Sequence, residues 1–285
     1  MAQVKIVTDS AQDFEPEFLE AMGIRVVPLN VHFGDESFKD GYEIRGKAFY
    51  DKLVASEHIA RTSQPSPWDF QQVFDDLTAD GSSVVAITLS SGVSGTFQSA
   101  SFARQALPDR KIEVIDSKCA SGMYGMMAIL AQEMVSSGKQ FDEIVSSVNR
   151  MIENAVTLFS VDTLDYLARN GRIGRAQHFL GTLLNMKPIL ALDKEGYVTS
   201  VERIRGKDKV IPRIIDIVTE RVGQGEKICL CLSHANAQPE ADKLKQEAQK
   251  RLAVERIFET EIGAVIGAHT GPGTLALFAI PCKVI

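Results

Sequence analysis

Cysteine is scarce in this 285-residue chain: Cys119, Cys229, Cys231 and Cys282 are the four, and no two make a CxxC pair. That argues against a structural zinc site and against a disulfide framework, so reduced thiols and no bound metal are expected. A positive excess is missing too, the formal net charge being -6, which argues against broad nucleic-acid binding because such binding relies on Lys and Arg neutralising phosphates. No stretch approaches the roughly 18 uncharged apolar residues of a membrane span, and Met1–Ser10 has neither a basic nor a long apolar region of a leader. The expectation is a cytoplasmic protein, neither exported nor stably inserted in a membrane. Internal repeats and low-complexity tracts are also absent.

What remains is the balance of an ordinary globular chain: 45% hydrophobic and 24% charged residues, with a mean hydropathy of -0.02. The charge is unevenly spread. Residues 1–150 carry 13 Lys and Arg against 21 Asp and Glu, and the remainder 18 against 16, so the candidate basic surface lies in the second half.

Short β-rich runs alternate with helical patterns. Val4–Val7, Ile24–Val31, Val84–Leu89 and Ile112–Ile115 read as strands, and Glu15–Met22, Thr96–Ala106 and Ser121–Ser136 as helices, the last with Met123, Met127, Leu130 and Met134 three and four apart. Phe141–Met151 predicts a further helix leading into Val156–Val161, and strands follow at Ile189–Leu192, Val198–Val201, Ile228–Leu232 and Leu275–Ile280. Cys229 and Cys231 are expected on one face of their strand as small core residues. The rhythm predicts an α/β protein of two domains, residues 1–155 and 156–285, with parallel or mixed sheets flanked by helices and ligands gathering beyond strand carboxyl ends.

Four polar islands could carry chemistry. Thr8-Asp9-Ser10, with Asp13 following, reads as a loop and helix cap, and its functional alternative places Asp9 or Ser10 at a pocket rim. Arg61-Thr62-Ser63-Gln64-Pro65-Ser66-Pro67 is stiffened by two prolines, and it reads equally as a carboxylate cradle and as a capped turn entering a helix over Trp68–Leu77. Ser90-Ser91-Gly92-Val93-Ser94-Gly95-Thr96 follows a strand and opens a helix, an arrangement that suits a phosphate or a carboxylate alike. It is neither a Walker A loop nor a GxGxxG fingerprint. Gly267-Ala268-His269-Thr270-Gly271-Pro272-Gly273 precedes the last strand and carries the one histidine in a distinctive setting.

Taken in order, TDSxxD at the start, RTSQPSP around Thr62, LSSGVSGT around Ser91, LARNGRIGR around Asn170 and GAHTGPG around Thr270 resemble the DegV family over about residues 4–283. The resemblance implies two α/β domains with a ligand pocket between them that holds one long-chain fatty acid, its carboxylate in a hydroxyl-lined polar pocket and its tail in an apolar tunnel. The family's carboxylate hydroxyls fall on Thr62 and Ser94 and its supporting histidine on His269, with Ser10, Ser63 and Gly95 as rim candidates. No cofactor is implied, and no catalytic residue: the chain would be the lipid-binding subunit of a two-component fatty acid kinase in phospholipid metabolism, presenting the carboxylate to an ATP-binding kinase partner that forms acyl phosphate. Arg169, Arg172, Arg203 and Arg205, with Arg175 and Lys207 nearby, are the basic residues expected to dock that partner, since their segments hold few carboxylates.

Two other chemistries compete. A serine hydrolase of acyl esters would use Ser94, His269 and an acid such as Asp9, although Gly92-Val93-Ser94-Gly95 departs by one residue from a nucleophile elbow. A phosphohistidine relay on His269 would rest on its glycine-rich setting alone.

Overall fold

In the computed structural model, residues 3–181 and 186–285 are described. The first half runs β1 (Val4–Asp9), α1 (Pro16–Ala21), β2 (Ile24–Val27), β3 (Asn30–Phe33), β4 (Glu36–Lys39), α2 (Gly46–Ala55), β5 (Arg61–Ser63), α3 (Pro67–Thr78), β6 (Ser83–Thr88), α4 (Thr96–Gln105), β7 (Ile112–Asp116), α5 (Gly122–Ser136) and α6 (Phe141–Glu153). The second continues with β8 (Val156–Ser160), α7 (Asp165–Arg169), β9 (Met186–Leu192), β10 (Val198–Arg205), α8 (Val210–Val222), β11 (Ile228–His234), α9 (Gln238–Arg251), β12 (Val254–Glu261), α10 (Ala264–Thr270) and β13 (Leu275–Pro281).

Strands β2-β1-β6-β7 form a wholly parallel sheet. Every residue of β6 is buried, as expected of a parallel strand with helices on both faces. Its order reverses between β1 and β6, and the loops leaving the carboxyl ends there are the usual ligand position of such a sheet. The later strands form a mixed six-stranded sheet, β10-β9-β8-β13-β11-β12, whose first residue is Val156. Within β11, Cys229 and Cys231 turn into one core while Ile228, Leu230 and Leu232 turn into another, so the two thiols do share a face.

The alternating pattern located most elements to within a few residues but merged or missed several. Ile24–Val31 is two strands, because Pro28 lacks an amide hydrogen and ends β2; β3 then joins β4 and β5 in a separate antiparallel sheet. The RTS of the proline-stiffened island is therefore paired strand, and the loop begins at Gln64. Ser66 and Asp69 cap α3 reciprocally, Ser66 Oγ accepting from the Asp69 amide. The Gly267–Gly273 island is largely helical: α10 carries His269 in its last turn.

Helix α5 binds the layers together. The methionine spacing predicts one apolar face, yet all ten residues from Gly122 to Ala131 are buried, because α5 packs on strands of both large sheets. Glycine permits that approach: a Cβ at Gly122 would collide with Cys231 Sγ and lie 2.7 Å from Ser233 Oγ of β11. A single buried cluster consequently draws on both halves, from Val4 and Ile6 to Phe278 and Ile280.

Candidate functional site

A narrow, mainly apolar cleft opens where the β1/β6 reversal meets the six-stranded sheet. Its apolar wall comes from both halves, with Leu29 and Leu89 on one side and Phe159, Leu192, Val198 and Phe278 on the other. Polar groups gather on Thr62, Gln64, Ser94, Arg172, His269 and Thr270.

Thr62, at the second position of β5, and His269, at the end of α10, meet directly: Thr62 Oγ1 and His269 Nε2 are hydrogen-bonded at 2.8 Å. His269 Nδ1 is buried and has no hydrogen-bond partner among the described residues. Burial, reinforced by the positive charge of Arg172, lowers the imidazole pKa to about 4, so the ring is neutral at physiological pH. Helix α10 is fixed from the first half of the chain. Asp40 Oδ1 accepts from the amides of Ala264 and Val265 at 2.9 and 3.3 Å, and Asp13 Oδ1 from that of Gly263 at 3.0 Å. At the other end Asn170 Nδ2 donates to the Ala268 carbonyl at 3.0 Å.

Ser94 lies in the loop between β6 and α4. Its Oγ is 2.9 Å from Thr96 Oγ1 and accepts from the Thr96 amide at 3.3 Å, while its own amide donates to the Ser90 carbonyl. The loop follows a strand end pinned by Asp9, whose carboxylate accepts from the amides of Leu89 and Ala11 and from the Tyr124 hydroxyl. Burial raises the Asp9 pKa to about 6 against the pull of these bonds.

Thr62, Ser94 and His269 are thus brought to one cleft. Of the rim candidates, Ser10 and Ser63 are bonded outside it. Ser10 is buried, accepts from the Leu29 amide, and borders a second cleft beside Asp13 and Asp40. Ser63 turns away to bond His32 Nε2 at 3.0 Å. Gly95 lies beside the cleft, its backbone against the Gln64 side-chain amide, which an added Cβ would displace.

The basic residues do not form the carboxylate-free patch that their spacing suggests. Arg175 pairs with Asp193 and Glu195, and Lys207 with Glu240. Arg172 belongs to the cleft, donating from Nε to the Val93 carbonyl at 3.1 Å and from Nη1 to that of Asn170 at 2.9 Å. Arg203 lies over the Phe179 ring, and Arg169 and Arg205 are exposed.

Sequence reasoning passed over Gln64 and Thr270 as lining residues and gave Arg172 to a different surface. All three sit inside the quoted motifs, so their positions were visible while their direction was not. The hydrolase geometry is not formed. His269 Nε2 is bonded to Thr62 and not to Ser94, among the described residues no carboxylate meets Nδ1, and Asp9 is committed to the strand end. Among the described residues no group of three His, Cys, Asp or Glu is placed to hold a metal, and no helix is long and apolar enough to cross a membrane.

A family model described as an uncharacterised protein of the DegV family matches residues 3–282. A DegV domain-containing protein of Caldanaerobacter subterraneus subsp. tengcongensis is 35% identical over 278 residues, 98% of this chain and 99% of the relative. The structure of a DegV family protein of Thermus thermophilus, described as binding fatty acid, superimposes with a TM-score of 0.92 at 35% identity, over 98% of this chain and 99% of that one. DegV of Bacillus subtilis, described as a fatty acid binding protein, gives 0.88 at 32% identity, over 99% and 100%. With a family model matched over residues 3–282 and a relative 35% identical over nearly the full length of both chains, the chain belongs to the DegV family.

Proposed function

We propose that this protein binds one long-chain fatty acid, carboxylate at Thr62, Ser94 and His269 and tail along the apolar wall of the cleft. The observation that carries the reading is the neutral, buried His269 bonded to Thr62 at the polar end of an otherwise apolar space. A buried carboxylate must be met by donors, because an unpaired charge in a low-dielectric site is costly. An unpaired buried N–H is rarer than an unpaired acceptor, so the proton is assigned to Nε2, which donates to Thr62 Oγ1 and leaves the Thr62 hydroxyl proton for the ligand. Ser94 supplies a second hydroxyl by the same logic, its oxygen already accepting from the Thr96 amide.

At about 0.8 kcal/mol per buried CH₂, a long acyl chain gains on the order of 10 kcal/mol before ordering costs. The tail supplies most of the affinity and the head group sets orientation. The fatty acids named for the solved relatives support the same ligand class here.

The chain is further read as a cytoplasmic carrier without turnover of its own, which presents the carboxylate to an ATP-dependent kinase partner for acyl phosphate formation. Arg169, Arg203 and Arg205 are assigned to docking and Arg172 to the mouth of the cleft, and the two domains are taken as residues 1–155 and 156–285. Mass spectrometry of an organic extract of the purified protein tests the ligand: a stoichiometric fatty acid is expected. An empty cleft together with no measurable fatty-acid binding refutes the reading.

A further inference from the structure

The loop that bears Ser94 is anchored to the opposite half of the molecule. Ser90 is buried, and its Oγ donates to the Gly196 carbonyl at 3.0 Å while accepting from the Gly92 amide at 3.1 Å. The Ser90 carbonyl in turn accepts from the amides of Val93 at 3.2 Å and Ser94 at 3.1 Å. One serine therefore closes the turn that presents Ser94 and ties that turn to the β9–β10 connection.

The two loops touch through glycine. A Cβ on Gly92 would lie 2.5 Å from the Gly196 carbonyl oxygen, and one on Gly196 would collide with Ser90 Oγ. Gly196 has a φ of +84°, a conformation that L side chains rarely adopt. The Gly196 turn is itself braced: Asp193 Oδ1 accepts from the amides of Glu195 and Tyr197 at 2.9 and 3.1 Å, and Arg175 pairs with Asp193. A second tie runs from Arg172 Nε to the Val93 carbonyl.

We propose that Ser90, held by the Gly196 carbonyl, is a positioning residue for the fatty-acid head group, acting through Ser94 without touching the ligand. The inference rests on the proposed fatty-acid reading. Ser90 sets where the Ser94 amide and hydroxyl stand, and the Gly92–Gly196 contact leaves no room for the loop to slide toward the six-stranded sheet. The same bond fastens the two halves beside the mouth of the cleft, so the head group is held only while the halves stay joined there.

The test compares stearate with stearyl alcohol, which shares the tail and lacks the carboxylate. Wild type, Ser90→Ala, Ser90→Thr, Ser94→Ala and the double variant Ser90→Ala/Ser94→Ala are titrated with both probes. Ser90→Ala is expected to weaken stearate about tenfold, the loss typical of one hydrogen bond to a charged group, with stearyl alcohol little changed, and Ser90→Thr to recover most of it. In the Ser94→Ala background the Ser90 change should add nothing. Should Ser90→Ala fail to fold, Asp193→Ala loosens the Gly196 turn from the surface and should give the same acid-selective loss. Equal losses for both probes, an additive loss in the double variant, or unchanged stearate affinity would each overturn the assignment. Failure of the wild type to bind stearate would instead remove the fatty-acid reading, and the same titration separates the two.

Discussion

Thr62 and His269 stand 207 positions apart in the chain, yet their side chains meet at 2.8 Å. The contact joins an edge strand of the small antiparallel sheet to the last turn of α10, so it exists only when both halves are folded together. It also sets the chemistry: a ring that cannot readily take a proton serves as a fixed donor, not as a shuttle.

Truncating the head-group hydroxyls should cost affinity and leave the fold intact. Thr62→Ala and Ser94→Ala are each expected to weaken fatty-acid binding about tenfold or more, since a hydrogen bond to a charged group contributes roughly 1.5 to 3 kcal/mol. Titration calorimetry reads this directly, and unchanged affinity in both variants would reject the assignment.

His269 should stay neutral well below the ordinary histidine range. Nitrogen NMR of labelled protein is expected to show the Nε2-protonated tautomer without titration between about pH 5.5 and 8, because its pKa is lowered to about 4. The native state then binds fewer protons than the unfolded chain below about 6.5, so His269 lowers stability as pH falls from there toward 4. A ring titrating near 6.5 would contradict the burial argument.

Asp9 works in the opposite sense. Its pKa is raised to about 6, so between that value and the ordinary 3.8 the native state holds the extra proton, and its contribution to stability increases as pH falls through that window. Urea denaturation of wild type and Asp9→Asn at several pH values should show wild type gaining relative to the variant on acidification from pH 7 to 4.5. A constant difference would show that Asp9 has the same pKa folded and unfolded.

Charge reversal should separate the arginines. Arg205→Glu is expected to leave fatty-acid binding intact and to abolish acyl phosphate formation with a reconstituted kinase, whereas Arg172→Glu should lose both because Arg172 lines the cleft. Full activity of Arg205→Glu would move the docking surface elsewhere.

Helix propensity alone would make Gly122→Ala stabilising by roughly 1 kcal/mol. Here the added methyl meets Cys231 Sγ and Ser233 Oγ, and overpacking of this kind costs about 1–3 kcal/mol. Denaturation should therefore give a net loss; a gain would mean that β11 yields easily.

Much of this was legible in the sequence where one residue type answers to one local rule. Alternation gave β6, β8, β11 and β13 nearly to their ends, and the motif order led to Thr62, Ser94 and His269. Elements governed by tertiary context were not legible. β12 exposes polar residues along an edge, so Val254–Glu261 has no apolar rhythm to find. β4 is short and mostly exposed. Ser10 and Ser63 carry the right hydroxyls in the right motifs, but their directions are set by Leu29 and His32, partners that spacing cannot reveal. The arginines misled for the complementary reason: Arg175 and Lys207 find their carboxylates in other segments, at Asp193, Glu195 and Glu240.

Helix α5 has a consequence for how the molecule comes apart. With its first ten residues buried among strands of both large sheets and helix α6, neither half can keep that helix dry alone. A cut between α6 and β8 would hand the first fragment an apolar helix face in water and strip the second of the helix packed on β11, β12 and β13. Both fragments should aggregate when expressed separately, the intact chain should melt in one transition, and its slowest-exchanging amides should be those of Met123 to Ala131.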